Sequence, residues 1–255
     1  AARSVWERTR IVSFAASVGA QWTDGGIGAR VGGRIELPGL GNPGGIGRAA
    51  TEMFAKDGWS LVLVDIDDGV TKYAAELGSR GIKAAGVVAD VTTEAGCAKV
   101  AETAKQVDGP VKFLGLVAGT LGEVGSVETI AMAEWDRIFG VNVRANVLMM
   151  KQFIPSLRAA GGGSIGTSTS WYGRSGHAYF PAYCASKAAL ISLTQSASAE
   201  LAGDNIRVNA VLPGPIMTPQ MDAKIDTKSR AAVPKQVPLG RWLSPEEVAD
   251  PILFF

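Results

Sequence analysis

Tyr183 and Lys187 stand four residues apart in Tyr183-Cys184-Ala185-Ser186-Lys187, inside an Ala-rich stretch without Gly or Pro that runs to Glu200. That composition predicts a helix. On a helix, positions i and i+4 share one face, so an ammonium would lie beside a phenol. A free phenol titrates near ~10, and a neighbouring cation favours its ionised form. Such a tyrosine can exchange a proton with a substrate oxygen near neutral pH. Taken alone, the pair reads equally as a surface Tyr/Lys contact.

The residues upstream change that balance. Ser170 lies thirteen positions before Tyr183, at the end of the β-like run Ser164-Ile165-Gly166-Thr167-Ser168-Thr169-Ser170, which follows a glycine-rich turn. Asn142 sits in Phe139-Gly140-Val141-Asn142-Val143. Gly41-Asn42-Pro43-Gly44-Gly45-Ile46-Gly47 forms a glycine-rich loop between an apolar run and a helical pattern. Glycine permits a tight turn there and leaves room for a phosphate to meet the amides of a helix N-terminus. Asp65 ends the next apolar run, eighteen residues after Gly47. A carboxylate at that place accepts hydrogen bonds from ribose hydroxyls and repels a 2′-phosphate.

Loop, Asn142, Ser170 and Tyr183-x-x-x-Lys187, in this order and spacing, resemble the short-chain dehydrogenase/reductase family, from about Arg34 to Phe255. The resemblance implies that Tyr183 is the general acid/base and that Lys187 both lowers its pKa and holds the nicotinamide ribose. It implies that Ser170 hydrogen-bonds the substrate oxygen, with Ser168 as its rival two residues deeper on the same strand face. Asn142 would hold a water that links Lys187 to solvent. Cofactor contacts are implied for Gly41, Gly45, Ile46, Gly47, Asp65, Ile66, Asp90, Val91, Ala118, Gly119, Tyr183, Lys187, Pro213, Gly214, Ile216 and Thr218. Asp90 reads also as a solvated residue capping the helix from Thr93, and both readings can hold. The expected cofactor is NAD rather than NADP, because Asp65 is acidic and Gly44 stands where a basic residue would favour a phosphate.

Three positions depart from the family pattern. Leu40 replaces the threonine before the first glycine, and Leu116-Val117 replace two asparagines before Ala118-Gly119. The lost amides bear on rigidity more than on chemistry. The expected activity is hydride transfer between a nicotinamide and a mid-sized secondary alcohol or ketone. A 3-oxoacyl-thioester reductase using NADPH, and a catalytically weak dinucleotide-binding regulator, are the alternatives. Residues 218–240, polar and lysine-bearing, would form a mobile lid over the substrate.

Positioning these groups needs an α/β framework. Strands are expected at 34–37, 60–65, 84–88, 111–118, 164–169 and 206–212, and helices at 45–56, 70–77, 94–107, 131–158, 182–201 and 245–253. Continuous apolar strands alternating with helices predict a doubly wound, Rossmann-like parallel sheet with helices on both faces. No linker or repeat divides the 255 residues, so one domain is expected. Residues 34–255 would form its core and residues 1–33 an atypical front. The family's usual last strand is missing after Phe255, and 18–26 is a candidate for it, displaced to the front. A targeting peptide and a disordered extension compete with that reading.

A formal charge of +1 offers no field for nucleic acid or an anionic membrane. Cys97 and Cys184 lack metal-ligand spacing, and the lone His177, read as an exposed loop residue, cannot build a metal cluster. A reduced, cytoplasmic setting, a small-molecule substrate and no metal are therefore expected. The resemblance adds a homo-oligomer, tetramer or dimer.

Overall fold

The computed structural model describes residues 10–14, 17–18, 45–107, 109–218, 221–222 and 225–255. Among them, eight strands are β1 (Arg10–Phe14), β2 (Ser17–Val18), β3 (Ser60–Asp65), β4 (Ala84–Val88), β5 (Val111–Leu116), β6 (Gly119–Thr120), β7 (Gly163–Ser168) and β8 (Ile206–Val211). The α-helices are α1 (Ile46–Lys56), α2 (Gly69–Ser79), α3 (Glu94–Gln106), α4 (Met132–Phe139), α5 (Ala145–Ala159), α6 (Tyr172–Ser175), α7 (Pro181–Leu201), α8 (Thr227–Ala232) and α9 (Pro245–Phe254).

Strand β3 explains the layering. All six of its residues are buried, an apolar run that needs cover on both sides. Its side chains alternate: Leu61 and Leu63 join Phe54 of α1, Leu77 of α2 and Ile252 of α9. Val62 and Val64 join Val100 of α3, Phe153 of α5 and Leu201 of α7. Each fully buried Leu or Val removes enough apolar surface to stabilise the fold by about 1.5–3 kcal/mol. The two apolar layers make the fold a single doubly wound α/β domain.

Six parallel strands run in the order β4-β3-β1-β5-β7-β8. From the centre the chain steps outward through β3 and β4, then returns to β5 on the other side of β1. That reversal opens a crevice beyond the carboxyl ends of β1 and β5, where ligands bind in folds of this kind. The short parallel pair β2–β6 continues this edge.

Two expectations need correction. The expected first strand at 34–37 lies outside the described residues, while Arg10–Phe14 occupies the central place between β3 and β5. The front therefore supplies a central strand. Of the stretch 18–26, only Val18 is described, and it pairs with Thr120 rather than with β8. A short apolar run such as Ile11-Val12 suits a leader or a strand equally, so its place in the sheet does not show in sequence. The expected helix at 131–158 is also divided. A π-turn over Gly140–Arg144 separates α4 from α5, with the Ala145 amide reaching five residues back to the Gly140 oxygen. Hydrophobic periodicity does not reveal that one-residue insertion, which recurs at functional sites.

The remaining expected elements match within two residues, except that the 111–118 strand divides into β5 and β6. Local chemistry sets their ends. Thr93 caps α3 by accepting from the Gly96 amide, and Ser244 with Glu247 forms a capping box ahead of Pro245 in α9.

Candidate active site

A cavity of about 730 Å³ opens at the carboxyl edge of the sheet. Its floor comes from the chain segments that leave β7 and β8, Ser168–Ser170 and Pro213–Ile216, together with Gly119 and Thr120. Two paired backbone bonds hold these segments: Thr169 donates from its amide (2.9 Å) to the Val211 oxygen, and Trp171 donates to the Pro213 oxygen (3.1 Å).

Tyr183, Lys187 and Ser170 all line this cavity. Pro181 starts α7 with a fixed φ, and the i,i+4 spacing then sets Tyr183 and Lys187 on one face. Lys187 is buried, and its Nζ donates to the Ser168 main-chain oxygen at 2.9 Å. The same Nζ lies 5.7 Å from the centroid of the Tyr183 ring. Burial pulls the Lys187 pKa down to about 8. The Tyr183 phenol is pushed up by burial, and a hydrogen bond with Ser170 opposes the rise. The expected lowering by Lys187 is not found: burial is the largest influence on the phenol and raises it. Ser170 Oγ also accepts from the Tyr172 amide at 3.2 Å, which fixes its position facing the tyrosine. Ser168, the rival serine, is more deeply buried.

Asn142 does not reach the cavity surface; it is fully buried in the π-turn. Its Oδ1 accepts from the Thr120 amide at 2.7 Å, while Nδ2 donates to the Thr120 oxygen and to Ser186 Oγ, both at 2.9 Å. Ser186 Oγ in turn donates to the Tyr183 main-chain oxygen at 2.8 Å. Asn142 thus clamps β6 to α7. A methyl group at Gly119 would sit 3.0 Å from Lys187 Nζ and 3.3 Å from Asn142 Oδ1, so only glycine leaves that approach open.

The cofactor residues divide. Gly45, Ile46, Gly47, Gly119, Pro213, Gly214, Ile216 and Thr218 line the cavity. Gly45 is the extended N-cap of α1 and makes no side-chain cap, and the first turn of α1 holds no acidic residue. The N-terminal amides and the dipole of such a helix suit a pyrophosphate. Gly41 lies outside the described residues. Asp65 is buried at the end of β3, where its Oδ1 accepts from the Asp67 amide at 3.1 Å. Ile66 is exposed, and Val91 and Ala118 are core residues. Asp90 is exposed and accepts from the Thr92 amide and hydroxyl at 2.9 and 2.6 Å, but the side chain that caps α3 is Thr93, so the capping alternative for Asp90 does not hold. None of Asp65, Ile66, Asp90, Val91 and Ala118 lines the cavity.

The outer cavity is largely apolar and aromatic. Tyr172, Phe180, Met221, Ile225, Val233 and Trp242 contribute to it. His177 is exposed, as expected, yet it also lines the cavity and stacks on Tyr172 with ring centroids 4.5 Å apart. Thr120 and His177 were invisible as site residues in sequence, because neither belongs to a spaced motif. Leu116, in place of an amide, is fully buried in the core, and Val117 lines the cavity.

A family model described as enoyl-(acyl carrier protein) reductase matches residues 39–255. The chain belongs to the short-chain dehydrogenase/reductase family. It is 33% identical over 220 residues to 2-(S)-hydroxypropyl-CoM dehydrogenase 3 of Xanthobacter autotrophicus, covering 84% of this chain and 86% of that one. It is 36% identical to the 3-oxoacyl-[acyl-carrier-protein] reductase FabG of Thermotoga maritima, covering 82% and 85%. The L-sorbose reductase of Gluconobacter frateurii, solved with NADPH and L-sorbose, superposes with a TM-score of 0.79 at 28% identity, covering 97% and 88%. This dehydrogenase/reductase is accordingly an oxidoreductase that uses a nicotinamide dinucleotide on alcohols or ketones. Among the described residues no helix is long and apolar enough to cross a membrane, and no cluster of metal-ligating side chains occurs.

Proposed function

We propose that this chain is an NAD-dependent dehydrogenase/reductase of a mid-sized, largely apolar secondary alcohol or its ketone. The observation that carries the reading is one cavity shared by Tyr183, Ser170, Lys187 and the uncapped first turn of α1. In the reductive direction Tyr183 gives its hydroxyl proton to the carbonyl oxygen, and in the oxidative direction its phenolate takes the alcohol proton. Ser170 donates to the same oxygen and stabilises charge developing there. Lys187 remains mostly protonated at neutral pH, which favours the phenolate and supplies donors for a ribose hydroxyl. Gly45, Ile46 and Gly47 would receive the pyrophosphate, and Ile216 and Thr218 the carboxamide end. When bound, the dinucleotide supplies the hydride acceptor or donor, and the protein supplies position.

NAD is favoured on two grounds. Asp65 keeps a carboxylate at the end of β3, opposing a 2′-phosphate. Arg48, just after the glycine loop, lies 4.0 Å over the Tyr73 ring and 3.4 Å from Glu76, so its charge is already engaged. The second reading is a 3-oxoacyl-thioester reductase using NADPH. It is supported by the likeness to FabG and to an NADPH-bound reductase. The free thiols of Cys97 and Cys184 fit a cytoplasmic setting, and a tetramer or dimer remains the expected assembly.

The test is a spectrophotometric screen of secondary alcohols, ketones and 3-oxoacyl thioesters with each cofactor in turn. Turnover of cyclic or branched alcohols with NAD supports the first reading. Turnover of thioesters alone, with NADPH, replaces it by the second.

A further inference from the structure

One buried polar group near the catalytic helix has no role in the proton transfer described above. Asn146 is fully buried in the first turn of α5, among Ala145, Leu148 and Met149 of the core. Its Nδ2 donates to the main-chain oxygen of Asn142 at 2.8 Å. Its Oδ1 is, among the described residues, the buried side-chain polar atom left with no partner. An unmatched oxygen in a dry core is a cost that an aliphatic residue of similar size would avoid. The amide must therefore supply something that Leu or Val at this position would not.

The π-turn shows what that is. Where the ladder shifts from four-residue to five-residue spacing, as in the Ala145 to Gly140 bond, carbonyl oxygens lose their usual geometry. The Asn146 amide takes up the oxygen of Asn142, whose side chain holds both backbone groups of Thr120 and the hydroxyl of Ser186. Ser186 donates to the main-chain oxygen of Tyr183. A continuous path of hydrogen bonds therefore leads from Asn146 through Asn142 to the turn that carries Tyr183.

We propose that Asn146 is a positioning residue for the reaction, which pins the π-turn so that Asn142 grips Thr120 and the start of α7. The inference rests on the proton-transfer reading given above. It concerns only the donor of Asn146, and this separates it from ordinary packing.

Two isosteric substitutions isolate that donor. A threonine hydroxyl can bond the oxygen four residues back, as Thr51 does to Gly47 and Thr194 to Leu190, both at 2.8 Å. Valine has the same shape and no donor. Asn146→Val is expected to lower kcat about tenfold or more, with both KM values within about twofold, because displaced catalytic groups cost turnover more than binding. Asn146→Thr is expected to retain kcat within about threefold of the wild type. An activity-free readout accompanies these: hydrogen exchange at the Thr120 amide should speed up about tenfold or more in Asn146→Val, and not in Asn146→Thr, with global protection unchanged.

Equal kcat and equal Thr120 protection in Asn146→Val and wild type would overturn the proposal. So would equal damage in the Val and Thr variants, since packing and not the donor would then be at stake. Tyr183→Phe is assayed alongside. If it keeps full turnover, the proton-transfer reading fails; if it is inactive while Asn146→Val is normal, only the present inference fails.

Discussion

Lys187 Nζ donates to the main-chain oxygen of Ser168 across 2.9 Å, inside a site where the lysine is almost wholly shielded from water. The contact ties α7 to the end of β7 and holds a charge in a place that resists it. Burial brings the lysine down to about 8 from an ordinary value of 10.5. The unfolded chain thus binds the proton more tightly than the folded one. The folded state bears the full cost below pH 8, and it is relieved as pH rises from 8 to 10.5.

Lys187→Met should therefore abolish turnover yet leave a protein at least as stable at pH 7. A shift of this size corresponds to roughly 3 kcal/mol at most, from which about 1 kcal/mol is lost with the Ser168 bond. The expected net gain is about 1–2 kcal/mol at neutral pH. Thermal melts across pH 7 to 10.5 check the sign: wild type should catch up with the variant over the upper part of that range. A variant less stable than wild type at pH 7 would contradict this account.

Tyr183 and Ser170 should separate by magnitude. If Tyr183 is the group that transfers the proton, as proposed, Tyr183→Phe is expected to reduce kcat by about 10²–10⁴-fold. Ser170→Ala removes one hydrogen-bond donor and should cost about 10²-fold, with some compensation from Tyr183. Cofactor affinity, read by fluorescence titration, should hold in both, since neither group touches the phosphates. Loss of cofactor binding in either variant would point to a collapsed site rather than a chemical role.

Most of this framework was legible in sequence, for reasons that differ by element. Strands such as Ser60–Asp65 are buried on both faces, so their apolar runs are unbroken, and Asp65 and Asp67 close the strand through turns to following amides. Tyr183 and Lys187 were legible because helical spacing alone brings them together. The π-turn was hidden, since one extra residue in the ladder does not disturb composition. Asn142 illustrates the limit: its type and place were readable, whereas its clamp on Thr120 depends on a strand pairing at β6 that no local pattern announces. The Tyr183 pKa was misjudged for a related reason. Sequence shows a neighbouring cation but not the burial that raises the phenol.

The acidic end of β3 makes a prediction about cofactor choice. Asp65→Ser removes a carboxylate without adding bulk and should raise the NADP-to-NAD ratio of kcat/KM by about tenfold or more. Freeing Arg48 from its ion pair by Glu76→Gln should raise the ratio further if Arg48 can reach the added phosphate. Steady-state kinetics with both cofactors decide this. An unchanged ratio in Asp65→Ser would mean that the carboxylate, buried and bonded to the Asp67 amide, does not meet the ribose at all.

Gly119 offers the most local test of how the site is held. Alanine there would bring a methyl to 3.0 Å from Lys187 Nζ and 3.3 Å from Asn142 Oδ1, closer than such contacts normally come. Neither neighbour can yield freely: Lys187 is bonded to Ser168, and Asn142 holds Thr120 at 2.7 Å. The lysine is the more adjustable of the two, being a long chain with a single observed hydrogen bond. Gly119→Ala should thus push Nζ out of line and cut kcat by about 10²-fold, while costing only about 1–3 kcal/mol in stability. Full activity in that variant would show that the ammonium has room to move, and that its place beside Tyr183 is not fixed by the Gly119 backbone.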